Sequence, residues 1–227
     1  MNQRQYGADF LLVAAHAPDL SGMCPYLGER VDGVLRNLRV RSKIIGIGAS
    51  SAAAAVTRGI LSVQPRAVIM IGTCGVYPNL AQYRPQDVVI ATRAHAIDHA
   101  HIMGGAAFPD PMQTVATTHS LMSTALSQCH ARAHLAAVGS PLGYTTGDSF
   151  AASVYDKTGC ETENLEIFGV ALACRATEIP FIAALGVSHM VGSSGRQDHV
   201  LFHRDALNNA ANTVATWIHN GAPGLPH

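Results

Sequence analysis

Charge is scarce in this chain: acidic and basic side chains together make up 13% of its 227 residues, fifteen of each sign, and cancel to a net charge of zero. No Lys/Arg-rich run breaks that balance, which argues against an electrostatic footprint for nucleic acid or anionic lipid and leaves a small molecule as the expected partner. Long apolar runs are missing too. None approaches the roughly 18–20 residues needed to cross a bilayer. The apolar stretch near the N-terminus is strand-length, with Asp9 before it and His16 and Pro18 after it, so neither a signal peptide nor a membrane span is expected there. Paired cysteine spacing is a further absence. Cys24, Cys74, Cys129, Cys160 and Cys174 are odd in number and far apart, without the CxxC pattern of a zinc site or a disulfide framework. They read as reduced thiols in a cytoplasmic protein.

Apolar side chains are plentiful, at 48% of the residues, enough for one sizeable core under a surface poor in charge. Such surfaces are often covered by another subunit. Runs of β-branched and aliphatic residues at 10–14, 43–47, 67–71, 87–91 and 181–187 predict buried strands. Helical stretches are predicted at 50–62, 114–130, 166–177 and 200–219, the last with Leu201, Ala206, Leu207, Ala210, Ala211, Val214 and Trp217 on a core-facing stripe. This alternation specifies α/β architecture, with helices on both faces of a mixed, largely parallel sheet. No repeat or low-complexity linker divides the chain, so 1–227 is read as a single domain. Stretches 77–85 and 104–111 are expected to be surface loops, and 221–227 a frayed tail.

Several segments could carry chemistry. IIGIGASSAAAA, from Ile44, has a strand followed by Gly46 and Gly48, but it lacks the third glycine of a dinucleotide loop and an acidic partner. It reads as a tight turn that lets an alanine-rich helix approach the sheet, and no cofactor is expected. In IGTCG, Gly72 and Gly75 flank Thr73 and Cys74 near a strand's carboxyl end, where ligands gather in open α/β sheets. Thr73 is a candidate ligand contact, and an ordinary turn is the equal alternative. YTTGDSFAA, from Tyr144, reads as a polar turn ending at Phe150, a core residue by pattern that could stack on a planar ring. In TENLEIFGVALAC, Glu166 opens a helix that is apolar nearly all round. A carboxylate buried there needs hydrogen bonds, which the vicinal hydroxyls of a sugar would supply. Asp19, after VAAHAP, could be a general base for water or a first-turn residue beside Pro18. His189 closes the strand ALGVSH, where an imidazole could donate a proton near neutral pH. HAIDHAH, His95 to His101, matches no standard metal-ligand pattern and reads as a polar loop, so no metal is expected.

Taken in order, VAAHAPDL, GIGASSAAAA, IGTCGVY, TTGDSF, ENLEIFGVALAC and IPFIAALGVSH resemble the pocket segments of the nucleoside phosphorylase superfamily, in particular its methylthioadenosine/S-adenosylhomocysteine nucleosidase and futalosine hydrolase branch. TTGDSF and the NLE to IPF spacing are the most specific parts. The resemblance implies a three-layer α/β/α domain that cleaves the N-glycosidic bond of a nucleoside through an oxocarbenium-like sugar, with no cofactor. It places Glu166 on the carboxylate that holds the ribose hydroxyls. Phe150 falls on the base-stacking aromatic, and Thr73, beside Gly72, on the hydroxyl that meets water or phosphate. Asp19 falls where the nucleosidases have a water-activating Glu. It also implies a homo-oligomer, expected to be a dimer, because relatives complete their pockets across a subunit boundary.

Three departures qualify it. Leu165 replaces the Met that packs under the sugar. His189 stands where the nucleosidases carry the Asp that protonates the purine. The arginines that clamp phosphate in the phosphorylases have no counterpart near Met70 or in HAPDL, which favours water over phosphate as the acceptor, although Arg93 or Arg196 could reach a phosphate from elsewhere. Phosphorolysis is the second reading. A nucleoside-binding or sensing protein that has lost efficient chemistry is the alternative from a different class, motivated by His189.

Overall fold

The computed structural model describes residues 6–226. Nine strands form one sheet: β1 (Ala8–Ala14), β2 (Gly33–Leu35), β3 (Leu38–Ile44), β4 (Pro65–Val76), β5 (Val88–Ile97), β6 (Val115–Thr117), β7 (Ala133–Pro141), β8 (Thr162–Glu163) and β9 (Phe181–Met190). The path runs β2-β3-β1-β4-β8-β7-β5-β6, and β9 pairs with both β4 and β5. β3, β1, β4 and β9 are parallel neighbours, while β5 runs antiparallel to β9 and parallel to β7. The helices are α1 (Cys24–Leu27), α2 (Ala49–Val63), α3 (His99–Ile102), α4 (Ser120–Ser127), α5 (Asp148–Thr158), α6 (Ile167–Ala176) and α7 (Gly195–His219), with a 3₁₀ helix at Ala17–Met23.

Strand alternation builds the three layers. Leu11 and Val13 of β1, with Val68 and Met70 of β4, face the core under α2, α5 and α6. Phe10 and Leu12, with Ala67, Ile69 and Ile71, face the core under α4 and α7. On that second face Trp217 is fully buried against Phe10, ring centroids 5.5 Å apart, and its Nε1 donates to Pro223 O. Gly186 brings α7 onto β9, since a Cβ there would lie 2.0 Å from the Ala206 carbonyl oxygen.

The structure departs from the sequence reading in several places: Leu201 is 71% exposed rather than core-facing, HAIDHAH is the end of β5 and α3 rather than a loop, and the strand expected at 43–47 is β3, which ends at Ile44. The single helix predicted over 114–130 is β6, a turn and then α4, because Val115 and Ala116 pair with β5. β7, which the pattern did not predict, lies beside β5. The YTTGDSFAA turn passes directly into α5. Stretch 77–85 is no plain surface loop, since Tyr77, Leu80 and Tyr83 are buried. The tail is docked rather than frayed over its described part: Ala222 is buried, Leu225 packs on the second core, and Arg66 donates to Pro226 O at 2.7 Å. No described helix is long and apolar enough to cross a membrane.

Candidate active site

The carboxyl ends of parallel β3, β1, β4 and β9 deliver the site. Gly48 follows β3, Asp19 follows β1, Thr73 to Gly75 lie just before the carboxyl end of β4, and His189 is next to last in β9. Short β8 pairs with Gly75 and Val76 of β4 on one side and with Val138 and Gly139 of β7 on the other, so Asn164 to Glu166 emerge at the same rim.

Glu166 is the N-cap of α6 and is only 6% exposed. Its Oε1 accepts from Gly48 N at 2.9 Å, and Oε2 has no hydrogen-bond partner among the described residues. Two glycines make this contact possible. Gly48 has φ +84°, and Gly169 lets α6 close on α2, since a Cβ there would lie 1.9 Å from Ala49 O. The close approach seen here is that of α6 to α2 through Gly169, and the GIGAS turn serves the carboxylate through Gly48 N. Asn164 fixes the approach to the helix: its Oδ1 accepts from Glu166 N at 3.0 Å and Ile167 N at 2.9 Å, while Nδ2 donates to Thr73 O at 3.0 Å. Ser140 Oγ donates to Leu165 O at 2.9 Å. Burial raises the Glu166 pKa against these hydrogen bonds, and the nearby Asp19 charge adds to the rise.

Asp19 is likewise buried, at 6% exposure, and its Oδ2 accepts from His16 N at 3.1 Å. Two carboxylates from separate loops thus face one rim of the sheet. Thr73 is half-buried within β4, which runs on to Val76, so Gly72 and Thr73 lie inside the strand rather than in a turn after it. Leu165 is half-buried beside Glu166. Phe150, in the first turn of α5, packs on the core and meets the His99 ring edge-on, centroids 4.3 Å apart.

His189 lies across Gly75, where an added Cβ would sit 2.5 Å from its Nε2. Its Nδ1 is 2.8 Å from Ser188 Oγ. Burial and the charge of His199 lower its pKa to about 4, so the imidazole rests neutral at pH 7 and is not the ready cation that its position suggested.

Two further contacts hold the rim. Glu163, buried, accepts from Tyr77 Oη at 3.0 Å, Thr145 N at 2.9 Å and Thr145 Oγ1 at 2.6 Å, which pins the TTGDSF segment. Asp148 accepts from Ser193 N at 2.8 Å and Ser193 Oγ at 2.9 Å, tying the start of α5 to the loop after His189. Asn164, Ser140, Glu163, Thr145 and Ser188 were not singled out from the sequence. Only Asn164 carried a signal, as a capping residue type just ahead of a helix.

The HAIDHAH side chains diverge. His95 accepts from Arg93 Nε, Asp98 caps α3, His99 meets Phe150 and His101 lies on Phe108. Among the described residues no group of three or more His, Cys, Asp or Glu side chains could hold a metal ion. Arg93 is therefore engaged beside His95.

A family model described as the phosphorylase superfamily matches residues 27–219. The chain belongs to the phosphorylase superfamily. As a superfamily member it shares its fold with solved enzymes at low identity. A 5'-methylthioadenosine/S-adenosylhomocysteine nucleosidase from Neisseria meningitidis, in complex with methylthio-immucillin-A, superposes with a TM-score of 0.82 at 18% identity, over 93% of this chain and 98% of that one. A nucleosidase of the same name from Colwellia psychrerythraea, in complex with adenine, gives 0.84 at 16% identity over 98% of both chains. The futalosine hydrolase of Helicobacter pylori gives 0.82 at 13% identity, over 93% and 97%. No curated protein matches the sequence.

Proposed function

We propose that this phosphorylase-superfamily protein hydrolyses the N-glycosidic bond of a nucleoside, a purine or 5'-modified purine nucleoside, and releases the free base. The observation that carries the reading is the buried Glu166, held through one carboxylate oxygen by Gly48 N with the other left for a ligand. A sugar's vicinal hydroxyls can satisfy that free oxygen, and the carboxylate then faces the positive charge that develops at C1' as the bond breaks. Asp19 takes a proton from water as its oxygen bonds to C1', with Thr73 beside the path. The C1'–N bond breaks with its electrons going to the base, and His189 offers an N–H to the departing nitrogen. Phe150 and Leu165 supply apolar surface for base and sugar. The similar nucleosidases, one of them holding adenine, support a purine.

Water is favoured over phosphate because, among the described residues, no arginine bonds to Asp19, Thr73, Glu166 or His189 and Arg93 donates to His95, which leaves Arg196, exposed at the start of α7, as the arginine that could reach a phosphate. The five free cysteines fit the reducing cytoplasm. Exposed Leu142, at 92%, and Tyr144, at 67%, beside the pinned TTGDSF segment, suit cover by a second copy of the chain, which sedimentation would register as a dimer.

The test is incubation with a panel of nucleosides, 5'-modified ones included, with free base measured with and without phosphate. Release independent of phosphate supports hydrolysis. Release that requires phosphate would make the protein a phosphorylase, and binding of nucleosides without any release would make it a sensor.

A further inference from the structure

A neutral imidazole that gives up its Nε2 proton must gain one at Nδ1 or become an unstable anion. In His189 that second nitrogen has a protein partner. It faces the fully buried Ser188 hydroxyl, whose oxygen lies 2.8 Å from His189 Nδ1, 3.1 Å from His199 Nδ1 and 3.3 Å from Cys74 O. One hydroxyl has one proton to give. If it went to Cys74 O or to His199 Nδ1, His189 Nδ1 would have to donate to Oγ, and His189 Nε2 would be bare. The shortest contact favours the other arrangement, in which Ser188 donates to His189 Nδ1, His199 Nδ1 donates to Ser188, and His189 Nε2 carries its proton outward over Gly75.

We infer that Ser188 and His199 form a proton relay that reloads His189 as the base departs, and this rests on the nucleosidase reading. The leaving nitrogen takes the Nε2 proton of His189. Nδ1 takes the Ser188 proton, and Ser188 takes that of His199 Nδ1, so His199, protonated beforehand, ends neutral and His189 ends as its other tautomer. The far side of His199 leads back to the water-activating end of the site. Its ring lies 4.4 Å from that of His203, whose Nε2 is 3.9 Å from Asp19 Oδ1, and His16 Nδ1 stands 3.6 Å from Asp19 Oδ2. The Asp19 contact exceeds hydrogen-bond length and His203 Nδ1 has no partner among the described residues, so half-buried His199 regains its proton from solvent.

The groups facing the relay are mixed in sign. The Asp198 charge favours protonated His189 and that of Asp19 favours protonated His199, but burial and the neighbouring imidazoles outweigh both, so the relay draws on the fraction of the protein in which His199 is protonated. His203 Nδ1 is buried with no partner among the described residues, which leaves its ring held mainly by Asp19 and His199. Ser188 and His199 are positioning residues in this scheme, since each acts through His189.

Two measurements test it. Imidazole nitrogen NMR on the free, unmodified protein reads the tautomers without any substrate. The relay requires His189 as the Nε2–H form, with a hydrogen-bonded Nδ1 signal that Ser188→Ala abolishes. A His189 found with its proton on Nδ1 would overturn the relay even in an active enzyme. The second measurement compares kcat/KM for a purine nucleoside and for p-nitrophenyl riboside, whose leaving group needs no proton. Ser188→Ala and His199→Ala should each lose about 10- to 100-fold on the nucleoside and at least about tenfold less on the nitrophenyl substrate. Combining either with His189→Ala should add little. Equal losses on both substrates would reduce the pair to a structural role and overturn the relay. The expected tautomer in a protein that cleaves neither substrate would overturn the nucleosidase reading instead, and with it the proton's destination.

Discussion

The two ends of the site are built from different materials. Around Glu166 the partners are backbone groups and one amide side chain: Gly48 N holds the carboxylate, while Asn164 caps Glu166 and Ile167 and reaches across to Thr73. None of these partners titrates. Around His189 the partners are a hydroxyl and a run of imidazoles, His199 and His203, that ends at Asp19. Each of those imidazoles can change its proton. The sugar end is thus suited to holding a fixed negative charge against a charge that develops, and the base end to moving protons. A preorganised carboxylate has its desolvation already met in folding, so it stabilises a cationic sugar more than water would. A chain of titratable groups provides less fixed field, but it can deliver a proton without a standing cation at the base.

The contrast breaks most sharply at Glu166. Glu166→Ala should lower kcat/KM by about a thousandfold or more while the circular dichroism spectrum stays that of the folded protein. Activity within tenfold of the parent would remove Glu166 from the sugar site. Asn164→Ala comes next. It strands two N–H groups and the Thr73 carbonyl, so stability should fall by about 2–4 kcal/mol in urea titration and kcat/KM by roughly tenfold or more. An unchanged urea midpoint would show that the sugar end is not held in the way described. Gly75→Ala acts first on the other end, with Val191 Cγ2 also crowded at 2.7 Å. Its methyl would fall 2.5 Å from His189 Nε2 and push the ring off station, and a displacement of that size is expected to cost about tenfold to a hundredfold in turnover with little change in KM.

Changes of pH act on both ends. Because the folded His189 pKa lies near 4, below the usual 6.5, the unfolded chain binds a proton first as pH falls. Stability from this group is therefore full above about pH 6.5 and is lost progressively between 6.5 and 4, by up to roughly 3 kcal/mol. His189→Gln should flatten that part of the stability profile. At the sugar end the pKa is shifted the other way, and the loss again comes as pH falls. A Glu166 pKa raised by burial places the acid limb of kcat/KM above the usual carboxylate range, with activity lost as the ionised form disappears.

The layers of the fold could be read in the sequence because its strands are apolar throughout and its helices are striped. β1, α2, α6, β9 and α7 came out near their observed bounds. β7 did not, because AHLAAVGSP is mostly alanine and small residues, and its extended form is imposed by pairing with β5 over nine positions. The same tertiary pairing broke the helix expected at 114–130. In the site, Asp19, Glu166 and His189 carried a local signal, as polar groups next to apolar strands or helix starts. Their partners did not. Gly48 lies 118 positions from Glu166, Asn164 lies 91 from Thr73, and Thr145 and Glu163 are 18 apart, so only the folded chain reveals that they meet. His199 was hidden for another reason. It sits within an amphipathic helix whose pattern is read for packing, and its use depends on Ser188, one residue from the more conspicuous His189.

The most direct test of the account is to run the cleavage of a purine nucleoside in oxygen-18 water with phosphate present and to weigh the sugar product. Hydrolysis at the Glu166 and Asp19 carboxylates predicts free ribose, or its 5'-modified form, carrying one heavy oxygen at C1. A sugar 1-phosphate without the label would contradict it and would mean that phosphate binds here without the expected arginines.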